Sequence, residues 1–299
     1  MNYPVATQTI LYDIARLIGL DPATNLAPDQ AIEILGLMDN RLRESWELYD
    51  FLETTEIEER AFRPDYDPSV CYNQGDYCWD PCTRYYYQAV QTGVGGPLSN
   101  PNLWTQSPAV SPCYIEWFQT GKTPIGSAFN AYNLNPYEDK NAIEIPFVIS
   151  RRGLEFIPSF QPYPGSSASG YSALTATSTV WLFFRTPYPG LGIFIWDPTV
   201  TYFQGDSVLF NGDTYHSLID TNLGQSPGAS PDAWQLFRVP YVLSRFVYKA
   251  AYSDTLIVNG QNEKAPVEEG KAYTLLSQEF DKQTIQQKQE TRFTVYTGR

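Results

Sequence analysis

The stretch Asp67-Pro68-Ser69-Val70-Cys71-Tyr72-Asn73-Gln74-Gly75-Asp76 recurs later in the chain as Asp197-Pro198-Thr199-Val200-Thr201-Tyr202-Phe203-Gln204-Gly205-Asp206. The same offset relates four further pairs of residues: Tyr85 to Tyr215, Pro97 to Pro227, Pro101 to Pro231 and Trp104 to Trp234. No gap is needed to align residues 67–104 with residues 197–234. The sequence therefore predicts a structural unit that occurs twice.

The second copy indicates what kind of unit this is. Gly205 lies in a turn, where glycine takes a positive φ at little cost, and Ser207–Phe210 has the composition of a strand. Asn211-Gly212 is the preferred two-residue hairpin turn before a second strand. A proline-containing return then leads to Trp234, whose large ring fills a core too small for aliphatic side chains alone. The pattern predicts a small three-stranded β module in each copy.

Several positions of the second copy together resemble the small carbohydrate-binding modules of chitinases and cellulases that are grouped as families 5 and 12. They are Trp196, Tyr202, Gly205-Asp206, Asn211-Gly212, Tyr215, Pro227-Gly228 and Trp234. The resemblance implies the fold of those modules and an aromatic surface for a saccharide or another partner. The candidates for that surface are Tyr85, Tyr86, Tyr87, Trp196 and Tyr202. Chitin-binding members have adjacent exposed aromatic residues where this chain has Asp220-Thr221, so a structural role for the modules is the favoured interpretation.

The first 60 residues are predicted to be helical. Ile10, Ile14, Leu17 and Ile18 form one apolar stripe, which Gly19 ends. A longer helix is predicted to begin with Asp29 as its N-cap. Its apolar positions recur at helical spacing: Ile32, Leu35, Leu42, Trp46 and Tyr49. Four carboxylates are placed at the end of this helix as ordinary solvated charge: Glu53, Glu56, Glu58 and Glu59.

From Arg63 to about residue 240 the chain consists of short apolar and aromatic runs separated by Pro, Gly and Asn, which predicts β structure. The runs 143–149 and 179–184 are two such strands. A helical pattern returns at 266–280, and 292–296 alternate like a strand or an extended arm. The predicted fold class is α+β, in four parts: a helical domain from 1–62 and 241–299, module 1 at 63–118, a β-rich connecting region at 119–190 and module 2 at 191–240.

The two ends of the chain carry a second resemblance. Residues 41–51, Arg-Leu-Arg-Glu-Ser-Trp-Glu-Leu-Tyr-Asp-Phe, followed by 58–62, Glu-Glu-Arg-Ala-Phe, resemble the N-terminal helix of head-to-tail connector (adaptor) proteins of tailed bacteriophages. The runs 258–265, 268–273 and 292–295 are similar to the same family. The resemblance implies a helical adaptor core, built from both termini, that carries the two β modules as insertions.

The same resemblance implies a function. It predicts a virion structural protein of the tail or neck region, assembled in the host cytoplasm, that forms a homo-oligomeric ring of twelve copies. The ring would join the portal protein to a tail, nozzle or fibre protein and conduct DNA. The residues expected to form the portal and assembly interface are Trp46, Tyr49, Phe51, Phe293, Val295 and Tyr296. Burial within the subunit's own core is the alternative for all six.

Composition limits the partners. The 299 residues carry a formal net charge of -13, and no Lys/Arg run is present, so an electrostatic grip on nucleic acid and sequence-specific DNA reading are not expected. Acidic charge is compatible with DNA that passes through a ring, because carboxylates repel the duplex backbone. No stretch approaches the ~20 apolar residues of a membrane helix, and the N-terminus lacks the layout of a signal peptide, so we expect a soluble protein.

The sequence offers little catalytic chemistry. Motifs of serine hydrolases, P-loop NTPases, zinc proteases and dinucleotide-binding enzymes are missing, and the single histidine, His216, lies in a strand-like run. Four cysteines lie close together in the chain, Cys71, Cys78, Cys82 and Cys113, but without paired CxxC spacing. We therefore expect no enzyme, no cofactor and no metal. The alternative function is a carbohydrate-binding or host-receptor-binding virion protein that uses the two β modules.

Overall fold

The fold is described by a computed structural model covering residues 3–22, 26–107, 110, 113–119, 122–156 and 179–294, with side chains as far as residue 285 except Val94. The chain is α+β, as the sequence predicts. It divides into two compact units. Unit 1 is Met1–Thr54 with Tyr188–Arg299, and unit 2 is Thr55–Pro187. These limits differ from the four predicted parts, since module 2 belongs to the same unit as the helices.

The described residues contain four α-helices: α1 Thr7–Leu17, α2 Pro28–Leu48, α3 Tyr241–Val258 and α4 Ala265–Thr294. Their sixteen strands are β1 Thr55–Ala61, β2 Cys71–Tyr72, β3 Tyr77–Asp80, β4 Tyr85–Ala89, β5 Gly93–Val94, β6 Trp104–Ser107, β7 Cys113–Glu116, β8 Ser127–Tyr132, β9 Phe147–Ile149, β10 Gly153–Phe156, β11 Thr179–Arg185, β12 Thr201–Tyr202, β13 Ser207–Phe210, β14 Asp213–Ser217, β15 Asn222–Leu223 and β16 Trp234–Phe237. None of the helices in these residues has the length and apolar character needed to cross a bilayer.

The four helices form the core of unit 1. Helix α3 packs against each of the other three and has fully buried side chains on more than one face. The completely buried apolar residues of this core include Ile14, Met38, Leu42, Leu243, Phe246, Val247 and Leu276. Helices from both ends of the chain therefore contribute to one core. Gly19 ends α1 as expected, with a φ of 83° and its N–H bonded to the carbonyl of Arg16.

Two details of the predicted second helix are wrong. Its N-cap is Ala27, and Pro28 occupies the first helical position, so Asp29 lies in the first turn, where its charge favours the helix dipole. The buried stripe runs through Ile34, Leu35, Met38, Leu42 and Trp46, whereas Ile32 is exposed. The side of α2 that packs against α3 passes through Ile34 and Met38 rather than through Ile32, so the buried stripe differs from the predicted one.

Residues 55–61 form a strand, so the prediction that Glu56, Glu58 and Glu59 lie at a helix end is wrong. This strand, β1, pairs antiparallel with β11 along its whole length in the sheet β1-β11-β8. Arg60 in β1 is fully buried, and its guanidinium donates to the side chain of Gln119 and lies 2.8 Å from a carboxylate oxygen of Glu58. A buried charge must be paired with polar groups. One of these groups, Gln119, is far away in the sequence, so the local sequence does not reveal this pairing.

The connecting region is β-rich, as predicted. The strands β8 to β11 lie in residues 119–190, and the run 179–184 is part of β11. Of the run 143–149, only Phe147–Ile149 forms a strand, β9, which joins the sheet β7-β10-β9. Both sheets enclose the core of unit 2, whose fully buried members include Ile115, Leu154, Val180, Leu182 and Phe184.

Both β modules have the same architecture. Each has a three-stranded antiparallel sheet, β3-β4-β6 in module 1 and β13-β14-β16 in module 2. Each also has a two-stranded ribbon, β2-β5 or β12-β15, that the sequence did not predict. The prediction of a duplicated three-stranded module is confirmed by this repetition.

The repeated residues support the same internal bonds in both modules. The Tyr72 hydroxyl accepts the N–H of Asp67 at 2.9 Å, and the Tyr202 hydroxyl accepts that of Asp197 at 2.8 Å. Each tyrosine meets a tryptophan edge-on, with ring centroids 5.0 Å apart for Tyr72 and Trp104 and 5.3 Å apart for Tyr202 and Trp234. Each indole N–H donates to a backbone carbonyl, at Gly96 or Gln225. At least one tyrosine in each module therefore stabilises the module fold.

The alignment without gaps is wrong in one respect. Cys78 pairs with Tyr87 in module 1 and Val208 pairs with Tyr215 in module 2, so Tyr215 corresponds to Tyr87 rather than to Tyr85. The hairpin turn has four residues, 81–84, in module 1 and two, Asn211-Gly212, in module 2. The segment from Tyr215 to Trp234 is in turn two residues longer than the segment from Tyr87 to Trp104. Two compensating length changes leave the ends of the copies in register.

The modules allow a direct test of the division into units. Trp104→Ala and Trp234→Ala each remove a buried indole, which costs about 3–5 kcal/mol. Because module 1 belongs to unit 2 and module 2 to unit 1, we expect the two variants to lower different thermal transitions in scanning calorimetry. Trp104→Phe and Trp234→Phe retain a ring and should lower the same transitions less. A single transition that both alanine variants lower equally would contradict the division.

Candidate functional site

The three assembly residues predicted near the end of α2 lie against other parts of unit 1. Trp46 is 4 % exposed, and its ring meets those of Tyr188 and Phe237 at 5.8 Å and 6.3 Å. Phe51 is fully buried, and Tyr49 is half-buried. In the monomer these side chains therefore belong to the subunit's own core. Their role in assembly stays a prediction.

Tyr49 and Phe51 hold helix α4 through Phe280, a residue that sequence reasoning missed. The rings of Tyr49 and Phe280 stack with centroids 4.7 Å apart, and Phe51 meets Phe280 edge-on at 5.9 Å. Gln283 extends this contact, because its side chain accepts the N–H of Leu52 at 3.2 Å and donates to Glu53 at 2.6 Å. We call this set of Tyr49, Phe51, Phe280 and Gln283 the aromatic anchor. Its signal in the sequence is only one apolar residue at helical spacing after Leu276.

Helix α4 continues beyond the aromatic anchor. It runs fourteen residues past Phe280 to Thr294, which is about 21 Å of helix. Three exposed apolar residues lie in the segments that meet at the anchor: Leu48, Leu52 and Ile285, with exposures of 47 %, 45 % and 55 %. We call these three the anchor edge. Leu48 and Leu52 flank the anchor residues Tyr49 and Phe51 in the sequence, and Ile285 follows Gln283 by two residues.

The remaining assembly residues lie at the C-terminus. The backbone of Phe293 is in α4, so the predicted strand or extended arm is wrong for 292–294. The side chain of Phe293, and all of Val295 and Tyr296, lie outside the described residues. Their predicted role in assembly stays a prediction.

A charged network joins three helices of unit 1. Arg41 of α2 makes a bidentate pair with Asp254 of α3, at 2.6 Å and 2.7 Å, and also binds Glu44 and Glu269. The hydrogen bonds that Arg41 donates to Asp254 raise the pKa of Arg41 above its ordinary value. The hydroxyl of Tyr273 in α4 donates to Glu44, and burial together with this carboxylate raises its pKa to about 12. These bonds fix the first half of α4 on the core.

The five aromatic candidates of the modules are mostly covered. Tyr85 is 42 % exposed, but Tyr86 is fully buried, and its hydroxyl accepts the N–H of Phe62. Tyr87 on the opposite face of β4 is 9 % exposed. Tyr202 is equally buried against Trp234, and Trp196 is half-buried against Phe210. Tyr85 is the only exposed residue of the five, so these residues do not form one aromatic platform.

An open cleft lies in unit 2 beside module 1. It has a volume of about 830 Å³, and residues of the module and of β7 line it. Four of its side chains are tyrosines: Tyr66, Tyr72, Tyr77 and Tyr114. Sequence reasoning missed this cleft because Tyr114 lies outside the repeat and reaches the module only through the fold.

The cysteines do not form a metal centre. Cys78 and Cys113 are buried, Cys71 and Cys82 are exposed, and all four are free thiols. Burial, with Asp80 nearby, raises the pKa of Cys78 to about 12, so this side chain is a poor thiolate ligand. Among the residues that the structure describes, no group of three or more His, Cys, Asp or Glu side chains could hold an ion.

His216 has a structural environment. Its Nε2 lies 3.0 Å from the carbonyl oxygen of Gly190, which fits a neutral ring that donates from Nε2, and its ring stacks on Phe237 at 5.3 Å. Burial lowers its pKa below the ordinary 6.5, although the bond to Gly190 opposes this shift. His216 occupies the position that Gln88 has in module 1, since each pairs with the first residue of the preceding strand. It has no partner suited to catalysis among the described residues.

No family model, curated protein or solved structure matches this chain. The likeness to connector proteins and to carbohydrate-binding modules is therefore carried by short motifs alone. The chain's own geometry has to supply the support for any function.

The lowered pKa of His216 predicts a pH dependence for unit 1. Between pH 6.5 and the lower folded-state pKa, the unfolded chain binds more protons than the folded chain, so stability is complete above about pH 6.5 and falls as the pH is lowered. His216→Gln, which introduces the residue of module 1, should remove this loss. Urea unfolding at pH 7.5 and pH 5.5 measures it, with a slope of at most about 1.4 kcal/mol per pH unit. An equal pH dependence in both proteins would contradict the assignment to His216.

Proposed function

We propose that the chain is a virion structural protein, a head-to-tail connector that forms a homo-oligomeric ring between the portal and a tail, nozzle or fibre protein. The observation that carries the proposal is the construction of α4. Its first half is fixed in a core made from both chain ends, while its last part continues about 21 Å past Phe280. A helix held firmly at one half can present its other half to a partner.

The aromatic anchor supports this arrangement physically. Stacked and edge-on aromatic pairs add about 0.5–1.5 kcal/mol each beyond the area that they bury. Three such contacts connect Tyr49, Phe51 and Phe280. With the hydrogen bonds of Gln283 they fix the direction of α4 at the point where it leaves the core. The interaction surface is thereby set before a partner binds, which lowers the entropic cost of association.

The anchor edge supplies a site for a neighbouring subunit or the portal. Leu48, Leu52 and Ile285 are large apolar side chains that α2, the following turn and α4 leave exposed. Removal of apolar area from water drives most protein association, so these exposed side chains are available for such a contact. In the proposed ring, Phe293, Val295 and Tyr296 would continue this contact at the C-terminal end of the chain. The ring would stand in the virion neck and would be assembled in the host cytoplasm.

The charge of the chain fits the passage of DNA. The net charge of -13 gives the subunit a repulsive potential toward phosphates, and a ring of twelve copies multiplies it. A duplex would thus move through the ring with little adhesion. The proposal assigns no enzymatic step and no cofactor to the protein.

The proposal predicts a large particle. Twelve copies of a 33.9 kDa chain have a mass of about 400 kDa, which mass photometry of the purified protein, alone and with the portal ring of its own phage, would detect. Removal of residues 286–299 should reduce ring formation or portal binding, because it deletes the end of α4. A chain that is monomeric alone and does not copurify with the portal would contradict the proposal.

A point substitution distinguishes the loss of a contact at the anchor edge from a general destabilisation of the protein. Ile285→Asn removes an apolar side chain of the anchor edge. Its loss should cost about 1.4 kcal/mol of association free energy, a fraction of the burial energy of an isoleucine, and should therefore weaken assembly about tenfold. Val267→Asn is the matched control, because Val267 lies in the same helix with 57 % exposure against 55 % for Ile285. Equal effects of the two variants on particle mass would remove the anchor edge from the proposal.

A carbohydrate-binding or host-receptor-binding virion protein is the second candidate. The observation that favours it is the tyrosine-lined cleft of about 830 Å³ beside module 1, within the ~300–1,000 Å³ of typical ligand sites. Retention of the full chain on chitin, cellulose or host-surface polysaccharide would support this function. Free passage over all three matrices would leave the connector as the better proposal.

A further inference from the structure

The cleft beside module 1 has walls from two parts of unit 2. Module 1 and the segment that enters it form one wall, and strand β7 forms the other with Tyr114 and Glu116. These two residues alternate along β7 with the buried Cys113 and Ile115, so both are directed away from the core of unit 2. Its charged lining consists of four carboxylates, those of Asp65, Asp67, Asp76 and Glu116, and the guanidinium of Arg63.

Two of the four carboxylates serve the turns of the module. Asp67 accepts hydrogen bonds from the backbone and hydroxyl of Ser69, which lower its pKa, and Asp76 accepts the N–H of Asn73 at 2.7 Å. The other two, Asp65 and Glu116, have no hydrogen bond or ion pair among the described residues. Asp65 acts through space on the buried Arg60, where its charge opposes the lowering of the pKa of Arg60 by burial, but neither Asp65 nor Glu116 is bonded directly to another described side chain.

The aromatic walls already contact cations of the chain. The guanidinium of Arg63 lies 4.4 Å from the ring centroid of Tyr114, and that of Arg152 lies 5.4 Å from the same ring. Tyr77, half-buried on the module side, has no hydrogen bond from its hydroxyl among the described residues. A tyrosine face attracts a cation through its quadrupole, and a desolvated pair gains about 2 kcal/mol or more.

Module 2 shows which of these features the module fold requires. The turn carboxylates are kept, as Asp197 and Asp206, with the same hydrogen bonds. Asp65 is replaced by Ile195, as the matching strand bridges to Trp79 and Leu209 show, and Tyr77 is replaced by Ser207. The module itself therefore requires neither residue, although Tyr77 also packs against the core of unit 2, and both residues line the cleft.

We infer that the cleft beside module 1 binds an organic cation, an ammonium or guanidinium group held by the carboxylates of Asp65 and Glu116 beside the ring of Tyr77. The carboxylates outnumber the single lining guanidinium, so the potential in the cleft is negative and anionic ligands are repelled. A neutral saccharide gains hydrogen bonds but no attraction from this potential. A cation gains both the carboxylate attraction and the ring contact.

The binding is tested by calorimetric titration of the full chain with matched probes. Choline, glucosamine and argininamide represent a quaternary ammonium, an amino sugar and a peptide side chain, and their relative affinities distinguish these sources. The neutral counterparts of choline and glucosamine are 3,3-dimethyl-1-butanol and N-acetylglucosamine. We expect at least one cation to bind about tenfold or more tightly than its neutral counterpart, and its affinity to fall as salt is raised toward about 1 M.

Variants of the lining residues test whether the cation binds in the cleft. Asp65→Asn with Glu116→Gln should weaken the cation about tenfold or more and reduce the salt dependence, because both charges are removed at constant shape. Tyr77→Ser, which introduces the residue of module 2, should also weaken it. Because Tyr77 packs against the core of unit 2, thermal unfolding of this variant checks that the unit remains folded. Glu138→Gln is the control, since Glu138 is an exposed carboxylate of the same unit outside the cleft, and it should change nothing.

Three results would overturn the inference. They are equal affinity for cations and their neutral counterparts, no saturable binding of any cation at millimolar concentration, and an unchanged affinity in both Tyr77→Ser and the double variant. Tighter binding of N-acetylglucosamine than of glucosamine would assign the cleft to a neutral saccharide instead. None of these outcomes bears on the ring, which particle mass tests separately.

Discussion

The antiparallel pairing of β1 with β11 is the constraint on which the rest of the structure depends. Thr55 lies opposite Arg185, so the first and last strands of unit 2 bring its two ends together. The chain can therefore leave unit 1 at Thr54 and return to it at Tyr188. The return is fixed at Asp39, whose carboxylate accepts hydrogen bonds from the hydroxyl of Tyr188 and the N–H of Leu191, both at 2.7 Å. Without adjacent ends, the two terminal segments could not share one core.

Shared use of that core explains why the two modules differ in their surroundings. Module 2 follows the return directly and is bonded to α1, where the hydroxyls of Thr7 and Thr214 lie 3.0 Å apart and the N–H of Gln8 reaches Gly212. Module 1 instead lies within unit 2 beside β7. A duplicated framework of turns, tyrosines and tryptophans is thus retained in two environments, and its outer residues serve different contacts in each.

Much of the local structure could be predicted from the sequence, because it depends on short-range rules. Gly19 ends α1, and Asn211-Gly212 makes the hairpin of module 2, with positive φ at both residues. The duplication itself is visible as matching residues. The strand β1 was not predictable, since Glu56, Glu58 and Glu59 have no alternation of apolar side chains, and only the buried pairing with β11 makes 55–61 extended. The exact correspondence of the copies also required the strand register, because the two length changes compensate.

The candidate sites depended more on tertiary structure. Sequence alone marked Trp46, Tyr49 and Phe51, but only the fold showed that two of them fix α4 through Phe280. It likewise marked Tyr86 as an aromatic candidate, although the packing of both faces of β4 buries it. The sequence by itself determined an α+β chain with helical ends and a duplicated β module. The tertiary structure decided which faces are covered and which residues from distant segments meet in the cleft, because burial and contact depend on neighbours that lie far apart along the chain.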